Sequence, residues 1–297
     1  MRPDEYRSLL RSIDTRHGRF AYLDVGDGPA TLFVHGLFVS AYMWHQVIDD
    51  LKRERRCLAY NLPHHSGSQV ADDQSLDLEA NVEMLAGFCD ELGLEEFDLV
   101  ANDTGGALGQ GLAVRQPGRV RTLALTNCEA RDWMPSQNDL GQAVAQLAQR
   151  GELAPLLKAG HDDRAAARQG ALATTFQWPD RVSDAEIDGL QRPHQATLEG
   201  ARRLERFVRS LQPEQLAALE PDLRRLEVPT IAVWGTGDDV FPLHLAEWLR
   251  ETIPGCREVV EIEGGRLFWP FERGEELVAA LRRHWQQSRP REAAEVS

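Results

Sequence analysis

The sequence reads Val100-Ala101-Asn102-Asp103-Thr104-Gly105-Gly106 where an apolar run ends and a helical pattern begins. An apolar strand from Phe97 to Val100 would deliver one carboxylate, that of Asp103, into a tight turn that opens a helix. This is the layout of a nucleophile elbow, whose attacking side chain stands on strained backbone and whose near neighbours must be small. The three positions that must be small hold Ala101, Gly105 and Gly106. The stretch therefore predicts a strand, turn and helix with Asp103 as the reactive group.

Short apolar runs alternate with helical patterns on both sides of the elbow. Most of the runs are rich in Val, Leu and Ile and lack polar alternation, which predicts strands covered on both faces. The predicted strands are residues 20–25, 31–35, 57–62, 97–102, 122–126, 231–235 and 258–262. The predicted helices are residues 41–51, 78–92, 107–115, 243–252 and 275–286. This order predicts an α/β fold with a doubly wound, mostly parallel sheet.

The alternation is interrupted once, by a segment with helical periodicity only. We call this segment, residues 131–225, the helical insertion. It contains the helix breakers Pro135, Gly160, Pro179, Pro193 and Pro213. Because an insertion between core strands lies over their carboxyl ends, we predict that it forms a cap or lid. The core would then consist of residues 1–130 and 226–288, followed by a flexible tail at 289–297.

The composition indicates an acidic globular protein. A chain of 297 residues with 42% hydrophobic content can bury one continuous core, and its net charge of −14 would repel nucleic acid. The charged N-terminal segment has no apolar h-region after it, and no apolar stretch approaches the roughly 18 residues of a membrane span. We therefore expect a cytoplasmic protein without nucleic-acid or membrane partners. Only two of the 33 basic residues are lysines, a bias that favours a bacterial source; the oligomeric state stays open.

Neither a metal nor a cofactor is expected from the sequence. The four cysteines, at positions 57, 89, 128 and 256, are far apart and form no Cys-x-x-Cys pair, which argues against a metal site and against disulfides. The Gly105-Gly106 pair belongs to the elbow and does not form a dinucleotide-binding pattern.

Two further motifs stand at the ends of predicted strands. His35-Gly36-Leu37 follows one strand, where the backbone N–H of Leu37 can complete an oxyanion hole with the N–H of Thr104. Trp234-Gly235-Thr236-Gly237-Asp238 follows another strand and supplies an acid that can orient a base. The predicted catalytic residues are thus Asp103 and Asp238.

Together the three motifs resemble the α/β-hydrolase superfamily over nearly the whole chain. An elbow Asp followed by Gly-Gly resembles its haloalkane dehalogenase and epoxide hydrolase branch. That resemblance implies that the Asp103 carboxylate attacks carbon to form an ester, which a His-activated water then hydrolyses. It also implies a catalytic His in the loop after the last strand, where this chain reads Glu263 to Pro270 and has Leu267 in the place of the imidazole.

The other helpers that the resemblance implies are also replaced. Dehalogenases hold the halide with a Trp directly after the nucleophile and an Asn after the His-Gly pair, and here those places hold Thr104 and Leu37. Epoxide hydrolases use tyrosines of the cap, whereas all four tyrosines of this chain precede the helical insertion. The imidazoles that could approach Asp103 are those of His35, His64 and His65; the last matches the His of the family's Pro-Gly-His-Gly loop.

The remaining candidates line a predicted pocket for a small, mostly apolar substrate. Asn102 either hydrogen-bonds within the pocket or satisfies the turn. Glu129 stands where some members of the superfamily carry their acid, but we interpret it as an exposed loop carboxylate. Burial under a lid would raise the pKa of Asp103. The possible pocket residues are His35, Phe38, Asn102, Glu129, Trp133, Trp178, Leu267 and Trp269.

Three functions stay open at this point. The first is a hydrolase that cleaves a carbon-oxygen or carbon-halogen bond through Asp103 and a backbone oxyanion hole. The second is non-hydrolytic lyase, isomerase or cyclase chemistry in which Asp103 passes a proton, because the loop His is missing. The third is a ligand-binding member of the fold that has lost its chemistry.

Overall fold

The computed structural model describes residues 1–133 and 137–288, and its centre is one sheet of eight strands. In chain order the strands β1 to β8 are Arg11–Thr15, Gly18–Val25, Ala30–Val34, Arg56–Tyr60, Phe97–Asp103, Val120–Cys128, Thr230–Gly235 and Cys256–Ile262. Their order across the sheet is β1-β2-β4-β3-β5-β6-β7-β8. β2 pairs antiparallel with β1 and β4, and all other neighbours are parallel. The predicted doubly wound, mostly parallel sheet is therefore confirmed.

The helices flank this sheet. In chain order α1 to α15 are Pro3–Leu9, His45–Leu51, Leu78–Glu91, Thr104–Arg115, Asp139–Arg150, Leu153–Asp162, Arg164–Gln169, Ala171–Thr175, Asp184–Gln195, Leu198–Ser210, Pro213–Ala217, Glu220–Leu223, His244–Thr252, Trp269–Glu272 and Gly274–Ser288. Within residues 1–133 and 137–288, 3-10 helices span Ala41–Trp44 and Pro179–Arg181. None of the helices in the described residues is long and apolar enough to cross a membrane.

The central strands are buried along their length, as their unbroken apolar runs predict. Every residue of β5 and of β7 is buried, and the helix α4 packs against β5 and its neighbour β6. The strand pattern thus brings the carboxyl ends of β3, β5, β6 and β7 to one edge. A loop that follows any of these strands can contribute to a common site there.

Three elements outside the helical insertion, α1, β1 and the short helix α14, escape the sequence prediction, and two helix breakers are misread. The helix α1 and the edge strand β1 are too polar for their apolar pattern to stand out, since β1 exposes alternate side chains at the sheet margin. Gly160 and Pro193 do not end helices as predicted; they lie inside α6 and α9. The tail at 289–297 and the predicted breaker Pro135 lie outside the described residues.

Between β6 and β7 the described part of the helical insertion holds helices α5 to α12. Helices of the insertion begin with ordinary capping signals, such as the capping box of Ser183 and Glu186 at the N-terminus of α9. The insertion contacts the loops that follow β3, β4 and β8: Ser40 Oγ donates to the Gly189 carbonyl at 2.9 Å, and Ser66 N–H donates to the Pro193 carbonyl at 2.8 Å. The N–H of Phe268 donates to the Thr175 carbonyl at 3.0 Å.

Candidate active site

Strained backbone at the end of β5 presents the Asp103 side chain. Asp103 has φ 54° and ψ −137°, a conformation that residues with a Cβ rarely adopt, and α4 begins at the next residue. The two glycines that follow Thr104 are required because a side chain at either position would clash with its neighbours. A Cβ on Gly105 would overlap the Val34 carbonyl oxygen, and a Cβ on Gly106 would overlap the Cys128 side chain. The geometry is that of the predicted elbow.

The Asp103 carboxyl group is enclosed and partly fixed. Its Oδ1 accepts a hydrogen bond of 2.7 Å from the Thr104 backbone N–H, one of the two predicted oxyanion donors. Its Oδ2 lies against Gly36, where any Cβ would overlap the carboxyl group. Leu37, the other predicted donor, is buried in the loop that follows Gly36. Only 3% of Asp103 is exposed, so the carboxyl group is not solvated by bulk water.

A second carboxyl group lies beside the first, and it corrects the interpretation of Glu129 as an exposed loop residue. Glu129 follows the last residue of β6 and is fully buried. Its Oε1 accepts a hydrogen bond of 2.6 Å from the Thr104 hydroxyl, whose oxygen is also 3.3 Å from Asp103 Oδ1. Glu129 Oε2 has no hydrogen-bond partner within residues 1–133 and 137–288. One hydroxyl therefore links two buried carboxyl groups.

The environment favours a protonated form for this pair. Burial, and then the charge of Glu129, raise the pKa of Asp103 well above its ordinary range. Burial raises the pKa of Glu129 to about 7, although the Thr104 hydrogen bond opposes that rise. Ionisation of one carboxyl group therefore opposes ionisation of the other.

Asp238, the predicted orienting acid, is held without an imidazole in the described residues. Its two oxygens accept hydrogen bonds from Asn127 Nδ2 at 2.8 Å and from the Val240 N–H at 2.9 Å. Burial raises its pKa to about 7. The Asn127 amide oxygen also accepts a hydrogen bond from the Trp269 indole N–H at 2.9 Å. The same amide group therefore holds both Asp238 and the predicted pocket residue Trp269. No local sequence pattern points to Asn127, because its partners Gly235, Asp238 and Trp269 lie in distant segments of the chain.

Asn102 and Leu267 meet inside the protein. Asn102 Nδ2 donates to the Leu267 carbonyl at 3.1 Å and to Thr126 Oγ1 at 3.0 Å, which fastens the loop after β8 to the sheet. The Leu267 side chain is buried and offers no proton-transfer group. The sequence left two roles open for Asn102, a hydrogen bond within the pocket or a structural bond at the turn. The contacts of its amide nitrogen are structural.

The imidazole of His35 orders the loop that follows β3. Its Nδ1 is 2.7 Å from the Gly36 carbonyl, and its Nε2 accepts from the Leu62 N–H at 3.1 Å. Both ring nitrogens are therefore occupied, and burial lowers the pKa of His35 to about 4. Next along this loop, Phe38 adopts φ 62°, and its carbonyl is 3.4 Å from the Gln195 amide nitrogen.

The two predicted tryptophans of the helical insertion are half-buried and anchored to the core. The indole N–H of Trp133 donates to the Val240 carbonyl at 2.9 Å, beside the Asp238 turn. The backbone N–H of Trp178 donates to Glu272 at 2.7 Å, and the Arg181 guanidinium lies over its ring at 4.6 Å. Trp133 thus borders the acid side of the site, while the Trp178 backbone is bound to Glu272 in α14.

Comparison with known proteins places this geometry in context. A family model described as alpha/beta hydrolase fold matches residues 29–271. The chain is 25% identical over 292 residues to haloalkane dehalogenase 2 of Mycobacterium tuberculosis, covering 94% of this chain and 96% of that protein. It is 24% identical over 236 residues to human monoacylglycerol lipase ABHD6, covering 78% of this chain and 68% of the lipase.

Solved structures agree with the sequence matches. The structure of haloalkane dehalogenase DbeA from Bradyrhizobium elkani superposes with a TM-score of 0.77 at 23% identity, covering 93% of this chain and 96% of that one. The relatives carry the names of different hydrolytic activities, a lipase and dehalogenases. Their similarity therefore establishes the fold, and the chemistry has to be argued from the residues of the site.

Proposed function

The chain belongs to the α/β-hydrolase fold family, and on that premise we propose that it is an enzyme that moves a proton on a small, mostly apolar organic substrate through Asp103, with Glu129 as its second carboxyl group. The reaction class is that of a lyase, isomerase or cyclase. Relatives that are named as hydrolases of small organic molecules support a substrate of this size.

The observation that carries this proposal is the single hydroxyl between two buried carboxyl groups. Thr104 Oγ1 is 2.6 Å from Glu129 Oε1 and 3.3 Å from Asp103 Oδ1. Rotation of the hydroxyl, with transfer of its hydrogen to one carboxyl and acceptance of a hydrogen from the other, moves a proton between them without bulk water. A carboxyl pair whose proton is shared near neutral pH suits general acid-base catalysis.

In the proposed cycle, Asp103 exchanges one proton with the substrate. The ionised carboxylate removes a proton from carbon next to an activating group, or the protonated carboxyl donates one to a heteroatom. Glu129 stores the removed proton, or replaces the donated one, through Thr104. Asp103 then returns a proton to another atom of the substrate or to its leaving group, or takes one from there, and both the site and the substrate regain their starting charge. The backbone N–H of Leu37 would stabilise an oxygen on which negative charge develops, and the N–H of Thr104 would join it once Asp103 Oδ1 releases that hydrogen bond.

A hydrolytic cycle in which Asp103 attacks the substrate and forms an ester intermediate is less well supported by the same geometry. An attacking carboxylate has to be ionised, whereas burial and Glu129 favour the protonated form of Asp103. The second half of that cycle also requires a base to activate water. In the described residues Asp238 is hydrogen-bonded by Asn127 and by backbone N–H, so it orients no imidazole.

The second candidate function is nevertheless the conventional one, in which Asp103 forms an ester during cleavage of a carbon-halogen or carbon-oxygen bond. Two observations favour it: the strained φ of 54° at Asp103, and the similarity to dehalogenases over 94% of the chain. In both candidates the helical insertion acts as a cap, a role supported by its contacts with the loops after β3, β4 and β8.

One experiment separates the two candidates. The wild-type protein and the variants Asp103→Asn and Asp73→Asn, the last an exposed control, are incubated in D2O with cyclohexanone, and deuterium incorporation next to the carbonyl is followed by NMR. The same proteins are incubated with 1-bromobutane and styrene oxide, and their intact masses are measured.

Proton transfer predicts exchange that depends on Asp103, is unaffected in the control and leaves no covalent adduct. A butyl or hydroxyphenylethyl ester on Asp103 would instead establish the second candidate. Identical behaviour of wild type and Asp103→Asn in every assay would contradict both and favour a protein that only binds its ligand.

A further inference from the structure

Four nitrogen-bearing side chains meet where the loop after β4 contacts α9 and α10. His64 and His65 come from the loop, His194 from α9 and Arg203 from α10. The rings of His64 and His194 are 5.2 Å apart between centroids at 89°, and the three histidines are at most 3% exposed. We call these four residues the imidazole cluster. None of them is used by the proton transfer between Asp103 and Glu129.

The cluster holds more hydrogen-bond donors than acceptors. Its unpartnered nitrogens, judged within residues 1–133 and 137–288, are both ring nitrogens of His64, Nε2 of His65 and Nε of Arg203. Gly67 N–H donates to His65 Nδ1 at 3.0 Å, so Nε2 of that ring carries the hydrogen. His194 is better supplied, because its Nε2 is 3.2 Å from the Gln195 amide nitrogen and the Phe38 carbonyl accepts a hydrogen bond from its ring.

These assignments define what the cluster lacks. His65 and Arg203 each point one N–H at no acceptor, and His64 adds a third N–H in either tautomer. A buried donor without a partner costs about 1 to 3 kcal/mol, so an oxygen acceptor placed among these groups would be strongly stabilised. A metal ion does not match this set, because it needs lone pairs, and no three-residue metal group occurs among the described residues.

The charges around the cluster favour a negative ligand. The groups that act electrostatically on His64 are His35, His65, His194 and Arg203, and all of these are neutral or basic. The one ion-pair partner of Arg203 that the structure gives is the exposed Glu199, which holds Nη1 at 3.2 Å and leaves Nε available. Burial, and then the neighbouring basic groups, keep the pKa of His64 well below its usual range, so the ring is neutral when the cluster is empty.

The cluster is adjacent to the proposed active site. The His64 ring is 6.0 Å from the ring of His35, and the residue after His35, Gly36, lies against the Asp103 carboxyl group. On its other side the His64 ring is 5.3 Å from the ring of Phe207, an apolar wall from α10. The unpartnered nitrogens have no contact with solvent, so a ligand would require α9 and α10 to move away from the loop.

We propose that the imidazole cluster binds the carboxylate of a small organic acid with an apolar remainder, and that this acid is the substrate of Asp103. The first half stands on the cluster alone, and the second rests on the proposed function. A carboxylate offers several acceptor sites, which match the unpartnered N–H groups of the cluster and the charge of Arg203. Its arrival would stabilise an imidazolium, so binding would take up a proton from solution.

Binding is tested by titration calorimetry with two matched pairs of probes, phenylacetate against phenylacetamide and butyrate against butyramide. The titrations are run in two buffers of different ionisation enthalpy to count protons. We expect the wild type to bind at least one carboxylate about 10-fold or more tightly than its amide, with proton uptake, since charge-assisted hydrogen bonds are the stronger ones. His64→Leu should bring this ratio close to one.

Three further variants make the result decisive. Arg203→Gln changes a partly exposed residue, so it tests the cluster even where His64→Leu lowers stability, and it should also reduce the ratio and the proton uptake. His284→Leu removes a buried imidazole far along the chain, in α15, and should change neither. Asp103→Asn should lose deuterium exchange and keep the carboxylate preference, which separates failure of the proposed function from failure of this site.

Equal affinity for acid and amide in both pairs would overturn the proposal, as would absence of carboxylate binding. A preference that survives both His64→Leu and Arg203→Gln would place the carboxylate elsewhere and overturn it as well.

Discussion

The hydroxyl hydrogen of Thr104 lies within reach of two buried carboxyl groups and can serve only one of them at a time. The shorter separation, 2.6 Å to Glu129 Oε1, is typical of a hydrogen bond to an ionised or strongly polarised carboxyl group. Asp103 meanwhile keeps the backbone N–H of Thr104. A single residue therefore couples the protonation of Asp103 to that of Glu129.

Replacing Thr104 by Val should raise the pKa values of both carboxyl groups further. The Thr104 hydrogen bonds lower both values, because they stabilise the ionised forms. The pKa values are measured by carbon-13 NMR titration of protein labelled at the Asp and Glu carboxyl carbons. Thr104→Ser restores the hydroxyl and should restore both titrations. Unchanged titrations in Thr104→Val would show that the hydroxyl does not couple the pair.

The sequence predicts part of this site and misses its second half. Asp103 and Thr104 follow from a local pattern, because small residues at fixed spacing report the elbow. Glu129 was interpreted as exposed, since a charged residue just after a strand is usually solvated. Its burial depends on the way β6 is packed beside α4, and no window of sequence contains that contact.

At the scale of elements, the elbow works because α4 begins directly against β3. A Cβ on Gly105 would overlap the carbonyl oxygens of Val34 and His35, which belong to backbone and cannot move aside. The carboxyl ends of β6 and β7 are joined in turn by Asn127, whose amide contacts both the N–H and the carbonyl of Gly235. Each junction fixes a loop that carries a site residue.

Gly105→Ala should lower the free energy of unfolding by about 2 to 3 kcal/mol, as overpacking against rigid neighbours does. Gly118→Ala is the matched control, because nothing lies within 4 Å of a Cβ at that turn. Its effect should stay within about 0.5 kcal/mol. Urea denaturation measures both. Equal stability of the two variants would mean that α4 can move away from β3 at no cost.

Asn127→Ala should cost about 2 to 4 kcal/mol of stability, because it leaves the buried Asp238 carboxyl group and the Trp269 indole N–H without their partner. Asn138→Ala removes one bond to the Val240 carbonyl and the cap of α5, and should cost about 1 kcal/mol. Thermal and urea denaturation compare the two variants. A smaller loss of stability for Asn127→Ala than for Asn138→Ala would contradict the conclusion that Asn127 connects the carboxyl ends of β6 and β7.

The central strands were more predictable from sequence than the elements at the edge of the sheet. The runs that became β3, β5, β6 and β7 are apolar because both faces of each strand are covered. β1 was missed because an edge strand alternates and carries charges, and Pro193 was misread because tertiary packing retains it within α9. The joints made by Asn127 and the imidazole cluster connect residues more than 100 positions apart, which local patterns do not encode.

For the molecule as a whole, buried carboxyl groups and buried imidazoles make the free energy of unfolding change with pH in opposite directions. Burial raises the pKa values of Glu129 and Asp238 to about 7, so folding binds protons that the unfolded chain has released above pH 4.5. Their contribution to stability is complete in acid and is lost as the pH rises toward 7. Burial lowers the pKa values of His35 and His45 to about 4, so their contribution is complete above pH 6.5 and is lost as the pH falls toward 4.

Glu129→Gln isolates one of these contributions. The wild type loses stability relative to the variant as the pH rises from 4.5 to 7, by up to about 3 kcal/mol. Urea denaturation at pH 5 and pH 8 measures the difference, and the exposed Glu95→Gln supplies the effect of losing a surface charge. Parallel pH profiles for wild type and Glu129→Gln would show that Glu129 is ionised throughout.

The most direct test of proton transfer through Asp103 is its protonation state at neutral pH. Infrared difference spectra of wild type against Asp103→Asn at pH 7 resolve the carbonyl stretch of a protonated carboxyl group from the bands of a carboxylate. We predict a protonated carboxyl band that is absent from Asp103→Asn and that diminishes as the pH rises above 7. A carboxylate band at pH 7 that becomes a protonated one only near pH 4 would contradict the shared proton and return Asp103 to the role of an ester-forming nucleophile.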